Sequence, residues 1–191
     1  AAPLLTAAYS QSPSSTPEGR RLVCVFRNES WQLDRWAFDP VRGRLEATPR
    51  RVHTDPRQLR LKGVSPDGEW LATMLWDGEL QRDILLVRAR TGETRRLTND
   101  GLLEDFFVWA GDGSRLYFGL YGGPGETWGI RPDGSGREVM VPRAGEEAVV
   151  PEGVSPDGRF LFVAVGKDYR LHTVDLDLPV SQRRPVPLPT L

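Results

Sequence analysis

The sequence predicts an all-β chain of the β-propeller class, built of four-stranded antiparallel blades, with four blades in this chain. Three observations predict it. A turn phrase returns at near-constant spacing, each copy sits among the same four short strand-like runs, and no stretch sustains the 3.6-residue apolar period of a helix.

Aligned on the turn, "STPEGRRLVCVF", "VSPDGEWLATML", "WAGDGSRLYFGL" and "VSPDGRFLFVAV" put Pro17, Pro66, Gly111 and Pro156 in one column, 49, 45 and 45 residues apart. Proline presets φ near about −65° for the second turn position, and glycine accepts the positive φ that ends it. An Asp between them can bond the backbone amides of its own turn. Ser65-Pro66-Asp67-Gly68 therefore reads as a hairpin hinge between the two innermost strands of a blade. Reading Asp67, Asp112 and Asp157 as metal ligands fails, because one Asp per blade does not converge on one ion.

Around the hinge the elements follow one order. An entering strand comes first: "LRLKGV", "DFFVWA" and "AVVPEGV", with "AAYSQSPSS" a poor version in the first unit. The second strand leaves the turn as "RLVCVF", "EWLATML", "RLYFGL" or "RFLFVAV", apolar at nearly every position, as a sheet covered on both faces requires. The third strand is "DRWAFD", "DILLVRA", "TWGIRP" or "RLHTVDL". A turn such as "RTGE" or "PDGSG" then leads to a short fourth strand, "ATPRRVH", "TRRLT", "REVMV" or "RRPVPL". A lone four-stranded sheet cannot bury both its faces, whereas radial stacking covers each with its neighbour. Residues 1–191 thus form a single propeller region, with blades expected at about 4–54, 57–99, 103–142 and 146–188. Four blades either close a small ring or form part of a larger one. In the second case the end blades expose apolar faces and pair with a second copy or with further sequence.

The phrase S-P-D-G followed by an apolar strand and then "DILLVRARTGETRRLT" resembles the WD-like repeat of TolB-type propellers. The second unit carries almost all of that pattern, from Val64 to Thr98. The third keeps Trp109, Asp112, Gly113 and "PDGSGR" but loses the Ser-Pro; the fourth keeps the turn and "HTVDLD"; the first keeps Thr16-Pro17-Glu18-Gly19 and "DRWAFD". The resemblance covers nearly the whole chain and identifies a repeat class more than a function. It implies a binding or scaffold module of a larger bacterial protein, in a periplasmic or otherwise extracytoplasmic setting. Such repeats occur in periplasmic scaffold proteins and in the sensor regions of kinases and regulators. A second implied reading is the substrate-gating propeller of a prolyl-oligopeptidase-like or tricorn-like serine peptidase.

Composition narrows the partners. Twenty-five basic residues stand against 26 acidic ones, which gives no electrostatic footprint for nucleic acid or an anionic membrane. No apolar run approaches the roughly 18 residues of a membrane span. Cys24 is the single cysteine, so neither an intrachain disulfide nor a Cys-based zinc site is available. The start "AAPLLTAAYS" carries no methionine and no basic region ahead of a long apolar run. A piece cut from a longer chain is the expectation there, and a mature secreted form is the alternative.

No residue pattern specifies catalysis. His53 and His172 are far apart in sequence, and no carboxylate spacing matches a zinc motif. The G-x-S-x-G elbow is absent, since Asp67 stands where "GVSPDG" would need its second glycine. Tyr121-Gly122-Gly123-Pro124-Gly125 resembles the oxyanion-loop phrase of prolyl-oligopeptidase-like hydrolases, but it falls between the second and third strands of a blade. No enzyme activity, cofactor or metal is expected. The pairs Arg50-Arg51, Arg95-Arg96 and Arg183-Arg184 fall on outer fourth strands, as charges that keep sheet edges from pairing or as a basic stripe for a partner.

Trp36, Trp70 and Trp109 fall within strands and are expected to pack between blades. Trp31, Trp76, Asp77, Tyr121, Asp168 and Tyr169 fall in the loops between second and third strands. In a propeller those loops share one face with the connections between blades. They form the candidate site for a protein or peptide partner or a small ligand, or else each aromatic covers the edge of its own blade.

Overall fold

The computed structural model describes residues 10–15, 21–27, 30–45, 47–76, 78, 81–123, 125–145 and 147–189, with backbone alone for 10–15 and 21–27. The first sheet is β1 (Ser10–Ser15), β2 (Arg21–Arg27), β3 (Trp31–Asp39) and β5 (Arg50–Asp55), with a two-residue β4 (Arg44–Leu45) paired to the end of β3. The second is β6 (Gln58–Val64), β7 (Trp70–Trp76), β8 (Arg82–Arg88) and β9 (Thr94–Arg96). The third is β10 (Glu104–Trp109), β11 (Leu116–Leu120), β12 (Thr127–Ile130) and β13 (Glu138–Val141). The fourth is β14 (Val149–Val154), β15 (Phe160–Val165), β16 (Arg170–Asp175) and β17 (Val186–Pro187), after a short 3-10 turn at Val180–Gln182. The pairings within the first, third and fourth sheets, and that of β6 with β7, are antiparallel. The serine-rich first entering segment forms a strand despite its composition. Its hinge at Thr16–Gly19 lies outside the described residues.

The chain divides into two compact units, Ala1–Glu79 with Ile84–Arg95, and Leu80–Asp83 with Arg96–Leu191. Each has its own core. In the first, Leu33, Leu59, Leu61, Leu71, Leu75, Leu85 and Val87 form a buried cluster between two sheet faces. In the second, Tyr117, Met140, Val141, Val149, Leu161, Val163, Val165 and Val174 do the same. Trp36, Trp70 and Trp109 are all buried. Two guanidinium groups lie over Trp70, Arg88 at 4.5 Å and Arg95 at 5.0 Å from its ring centre.

Each entering strand breaks register once against its second strand: between Gln11 and Ser14, Leu61 and Gly63, Asp105 and Val108, and Pro151 and Gly153. A bulge at the same place in each sheet raises the local twist. Phe106 lies inside the third bulge at φ 56°, and Asp105 Oδ1 accepts its N–H at 2.9 Å.

The hinge chemistry goes beyond the Asx turn expected from the sequence. Asp67 Oδ1 accepts the Glu69 N–H at 2.9 Å, and Gly68 turns at φ +71°. Ser65 supplies the closing bonds: its Oγ accepts the Trp70 N–H at 2.9 Å and donates to Asp67 Oδ1. The fourth sheet repeats this, with the Phe160 N–H on Ser155 Oγ at 2.8 Å and Ser155 bonded to Asp157. The Ser155 hydroxyl, followed by the Arg159 amide, holds the Asp157 carboxyl below its ordinary range. In the third sheet Ala110 replaces the serine. Its hinge keeps the two backbone bonds, Ala110 N–H to Arg115 O and Gly113 N–H to Ala110 O, both 2.9 Å.

The arginine pairs face their own sheets. Arg51 pairs with Asp34 of β3, and Arg96 with the buried Asp83 of β8. Arg183 lies between the 3-10 turn and β17, not on a strand, and donates to the carbonyls of Met140, Leu176 and Leu178. One arginine of each pair is thereby engaged, as Arg95 also is on Trp70.

Glu104 opens β10 and is fully buried. Its Oε1 meets Arg137 Nη2 at 3.3 Å, and its Oε2 has no hydrogen-bond partner among the described residues. Burial pushes its carboxyl up to about 7, with Asp100 and Asp83 adding to the rise and Arg137 opposing it.

Two outcomes follow from these bonds. Ser65→Ala lowers the stability of the fold by about 1 to 2 kcal/mol, because the buried Trp70 N–H loses its acceptor, and a denaturant titration reads it. The chain still folds, as the third sheet does with Ala110. For Glu104 the folded chain binds the proton more tightly than the unfolded one, so its contribution to stability is complete below the ordinary glutamate range. That contribution is lost as pH rises to about 7. Glu104→Gln removes this slope and raises the denaturation midpoint at pH 8; equal pH slopes in both proteins would contradict the assignment.

Candidate functional site

One end of the second unit is tied together by backbone hydrogen bonds. The turn after β11 joins the segment ahead of β10 through Tyr121 N–H to Leu103 O at 2.7 Å. Arg82 at the start of β8 reaches that segment too, with its N–H on Leu102 O at 3.2 Å. Further along, Val149 N–H bonds Gly125 O at 2.8 Å, and Gly166 N–H bonds Ala148 O at 3.1 Å. The loops between second and third strands of the third and fourth sheets therefore flank one connection, residues 147–149. Glycine is required at two of these joints. A Cβ on Gly125 would stand 2.9 Å from Ala148 Cα, and one on Gly166 would stand 2.6 Å from Glu147 Oε1.

Three of the candidate residues project from this rim. Tyr121 is 57% exposed and Tyr169 61% exposed. Arg82 lies over the Tyr121 ring at 4.8 Å and pairs with the buried Asp105 at 3.0 Å, so Asp105 holds the arginine that holds the tyrosine. Tyr169 adopts φ 50°, a left-handed backbone that non-glycine residues enter at a cost of about 1 kcal/mol or more. Asp168 beside it is exposed, 4.0 Å from Arg170. Glu147, also exposed, adds a carboxylate over Gly166.

The first unit places its candidates differently. Trp31 is the first residue of β3, paired with Arg27 on one side and Asp55 on the other, and it packs against the core cluster. Trp76 is the last residue of β7, paired with Gln58, with Arg60 at 6.0 Å from its ring centre. Both were expected in loops. The β3 ladder begins at Trp31, three residues ahead of Asp34, and the β7 ladder ends at Trp76, one residue past Leu75, so that each indole stays on its sheet. Both are half-buried, flanking the turn between β5 and β6, where the buried Asp55 carboxylate takes Arg57 at 2.9 and 3.0 Å. Burial pushes the Asp55 carboxyl up, but the Arg57 bonds and His53 outweigh it and hold it below its ordinary range. Asp77 lies outside the described residues.

Arg82, Asp105 and Glu147 were not expected from the sequence. Arg82 meets Asp105 and Tyr121 across 23 and 39 positions, and no local pattern signals such a contact. The Gly122-Gly123 phrase is explained by the turn itself: Gly122 has φ +69°, and a Cβ on Gly123 would lie 2.4 Å from Leu120 Cβ. Pro124 is outside the described residues. Among the described residues no group of His, Cys, Asp and Glu could hold a metal ion. His53 lies 3.8 Å from Asp55, and His172 Nδ1 is 2.8 Å from Arg170 O, so the two serve separate sheets. No helix is long and apolar enough to cross a membrane among the described residues.

No family model and no curated protein matches the sequence. Solved structures match its fold. A putative TolB from Agrobacterium tumefaciens is 21% identical with a TM-score of 0.68, over 93% of this chain and 61% of that one. TolB from Acinetobacter baumannii is 16% identical with a TM-score of 0.72, over 96% of this chain and 44% of that one. A structure from a study of two prolyl endopeptidases is 18% identical with a TM-score of 0.67, over 95% of this chain and 28% of that one. The chain thus spans about half the length of the TolB structures, and at these identities the likeness is one of fold. With four four-stranded antiparallel blades, the chain has the TolB-type β-propeller fold.

Proposed function

We propose that this propeller module is non-catalytic and binds a protein or peptide through the loops between second and third strands. The observation that carries the reading is the rim of the second unit. Two exposed tyrosines, Tyr121 and Tyr169, stand there with Asp168 and Glu147 on loops tied to one connection. Tyrosine gives a large contact area, a hydroxyl for hydrogen bonding and little rotamer entropy to lose. Asp168 and Glu147 stand with the exposed Lys167 and Arg170, so the rim offers a partner segment both signs of charge. The TolB structures, whose own chains extend well beyond the matched region, agree with a module inside a larger protein. An extracytoplasmic setting is part of the same reading.

The likeness to the prolyl endopeptidase structure favours a second reading, a propeller that gates the active site of an attached hydrolase. The gene sequence on either side separates the two, since a G-x-S-x-G elbow with downstream Asp and His belongs to the second alone.

A photo-crosslinking amino acid at 121 or 169 captures a specific partner in cells, and the same group at the exposed Val41 does not. Tyr121→Ala with Tyr169→Ala weakens binding of that partner by about tenfold or more and changes stability by less than about 1 kcal/mol. Unchanged affinity would reject the rim as the site. Turnover of peptide or ester substrates by the pure 191-residue chain would reject the non-catalytic reading.

A further inference from the structure

Two consecutive residues at the start of β10 tie the inside of the third sheet to the rim. Side chains alternate along a strand, so Glu104 and Asp105 leave it on opposite faces. Asp105 pairs with Arg82, and Arg82 covers the Tyr121 ring. Glu104 is 0% exposed. The connection ahead of both, residues 100–103, carries the backbone bonds that place Tyr121. The Tyr121 N–H is on Leu103 O at 2.7 Å, and the Arg82 N–H is on Leu102 O at 3.2 Å. A movement of the first residues of β10 therefore shifts the backbone anchor of the tyrosine and the arginine over its ring together.

Glu104 is poorly placed to be an anion. Its Oε2 has no hydrogen-bond partner among the described residues, and its Oε1 meets Arg137 Nη2 at 3.3 Å. That guanidinium is shared. It also pairs with Asp100 and lies over the Phe118 and Trp128 rings, at 5.4 and 5.5 Å from their centres. The other charges acting on the carboxyl are acidic: Asp100 in the connection, and Asp83 of β8, itself paired with Arg96. β11 has no charged residue, and β14, which also packs on β10, has only the exposed Glu152. Burial accordingly outweighs the carboxyl's own amide and Arg137 and pushes it up to about 7. A buried carboxylate regains solvation only by leaving the interior. Because Glu104 opens its strand, that takes the end of β10 and its connection, and not the whole sheet.

We infer that Glu104 is a proton switch for the Tyr121 side of the rim: the neutral carboxyl holds the start of β10 in the sheet, with Tyr121 and Arg82 in place, and ionisation loosens all three. The closed segment binds the proton more tightly than the open one. Its order is complete below the ordinary glutamate range and is lost as pH rises to about 7. As regulation of binding this rests on the rim being the partner site, and it makes binding there tighter below neutral pH than above it. The proton-linked order itself belongs to the chain alone.

Amide hydrogen exchange of the 191-residue chain at pH 6 and pH 8 tests this, with each rate divided by the unprotected rate at the same pH. In the unaltered chain, protection of the Tyr121 and Arg82 amides falls about tenfold from pH 6 to pH 8. That is the ratio for a carboxyl titrating near 7 in the closed segment and in the ordinary glutamate range in the open one. Glu104→Gln, neutral at both pH values, holds the protection of both amides constant, and far-UV circular dichroism confirms that it is folded. The Tyr169 amide, bonded to Gly166 O at 3.3 Å in the fourth sheet, keeps the same protection throughout. Constant protection of Tyr121 and Arg82 in the unaltered chain overturns the inference, as does an equal fall in Glu104→Gln. An equal fall at Tyr169 overturns it too, because the opening is then global. These amides report on the chain by itself, so the result is independent of whether a partner is captured at 121.

Discussion

Everything in this fold follows from second strands that have no polar face. β7 reads Trp-Leu-Ala-Thr-Met-Leu-Trp and β11 reads Leu-Tyr-Phe-Gly-Leu, with no charged residue on either side. Alternation, which lets one face of a sheet meet water, is absent. The one hydroxyl inside β7, on Thr73, is satisfied internally by the Leu85 carbonyl at 2.8 Å. Such a strand is stable only when both of its faces are covered, and at roughly 25 cal/mol per Å² of apolar area that requirement outweighs local preference. It accounts for a serine-rich segment forming β1: the sheet needs an entering strand whatever its propensity.

The sequence carried the framework because the framework is local and repeated. The hinge Ser65–Gly68 uses residues at most five apart, and each of its residue types has a mechanical reason to be there. A pattern of that kind is readable in one copy and convincing in several. The outer arginines were readable as a pattern but not in full. "RR" after a Thr-Gly turn suggested an edge charge, and Arg96 on that edge strand also reaches the buried Asp83 near the start of the third strand. The equivalent pair Arg51 and Asp34 shows that the Asp of one run and the Arg of the next are two halves of one clamp.

The rim was legible to a lesser degree, for a physical reason. Loop position follows from blade order, so Tyr121, Asp168 and Tyr169 could be located. Trp31 and Trp76 were misplaced, by three residues and by one, because propensity does not say where a ladder stops when an indole gains by remaining on it. Arg82 and Asp105 were invisible, since their contacts depend on how one sheet's third strand begins beside the next sheet's first.

The two ends of the sheets differ in how far their polar groups are used. At the hinge end, Ser65 both donates and accepts, Asp67 takes the serine and an amide, and Ser155 and Asp157 repeat the arrangement. Little chemistry remains there for a ligand. At the rim, loop backbones are fixed by bonds to the connections, while Tyr121, Asp168 and Tyr169 hold their side chains in solvent. Tyr169 does so at a left-handed φ, which the nearby Gly166 adopts without penalty. The partner surface proposed above would give that backbone cost a use, since the exposed tyrosine adds nothing to a core.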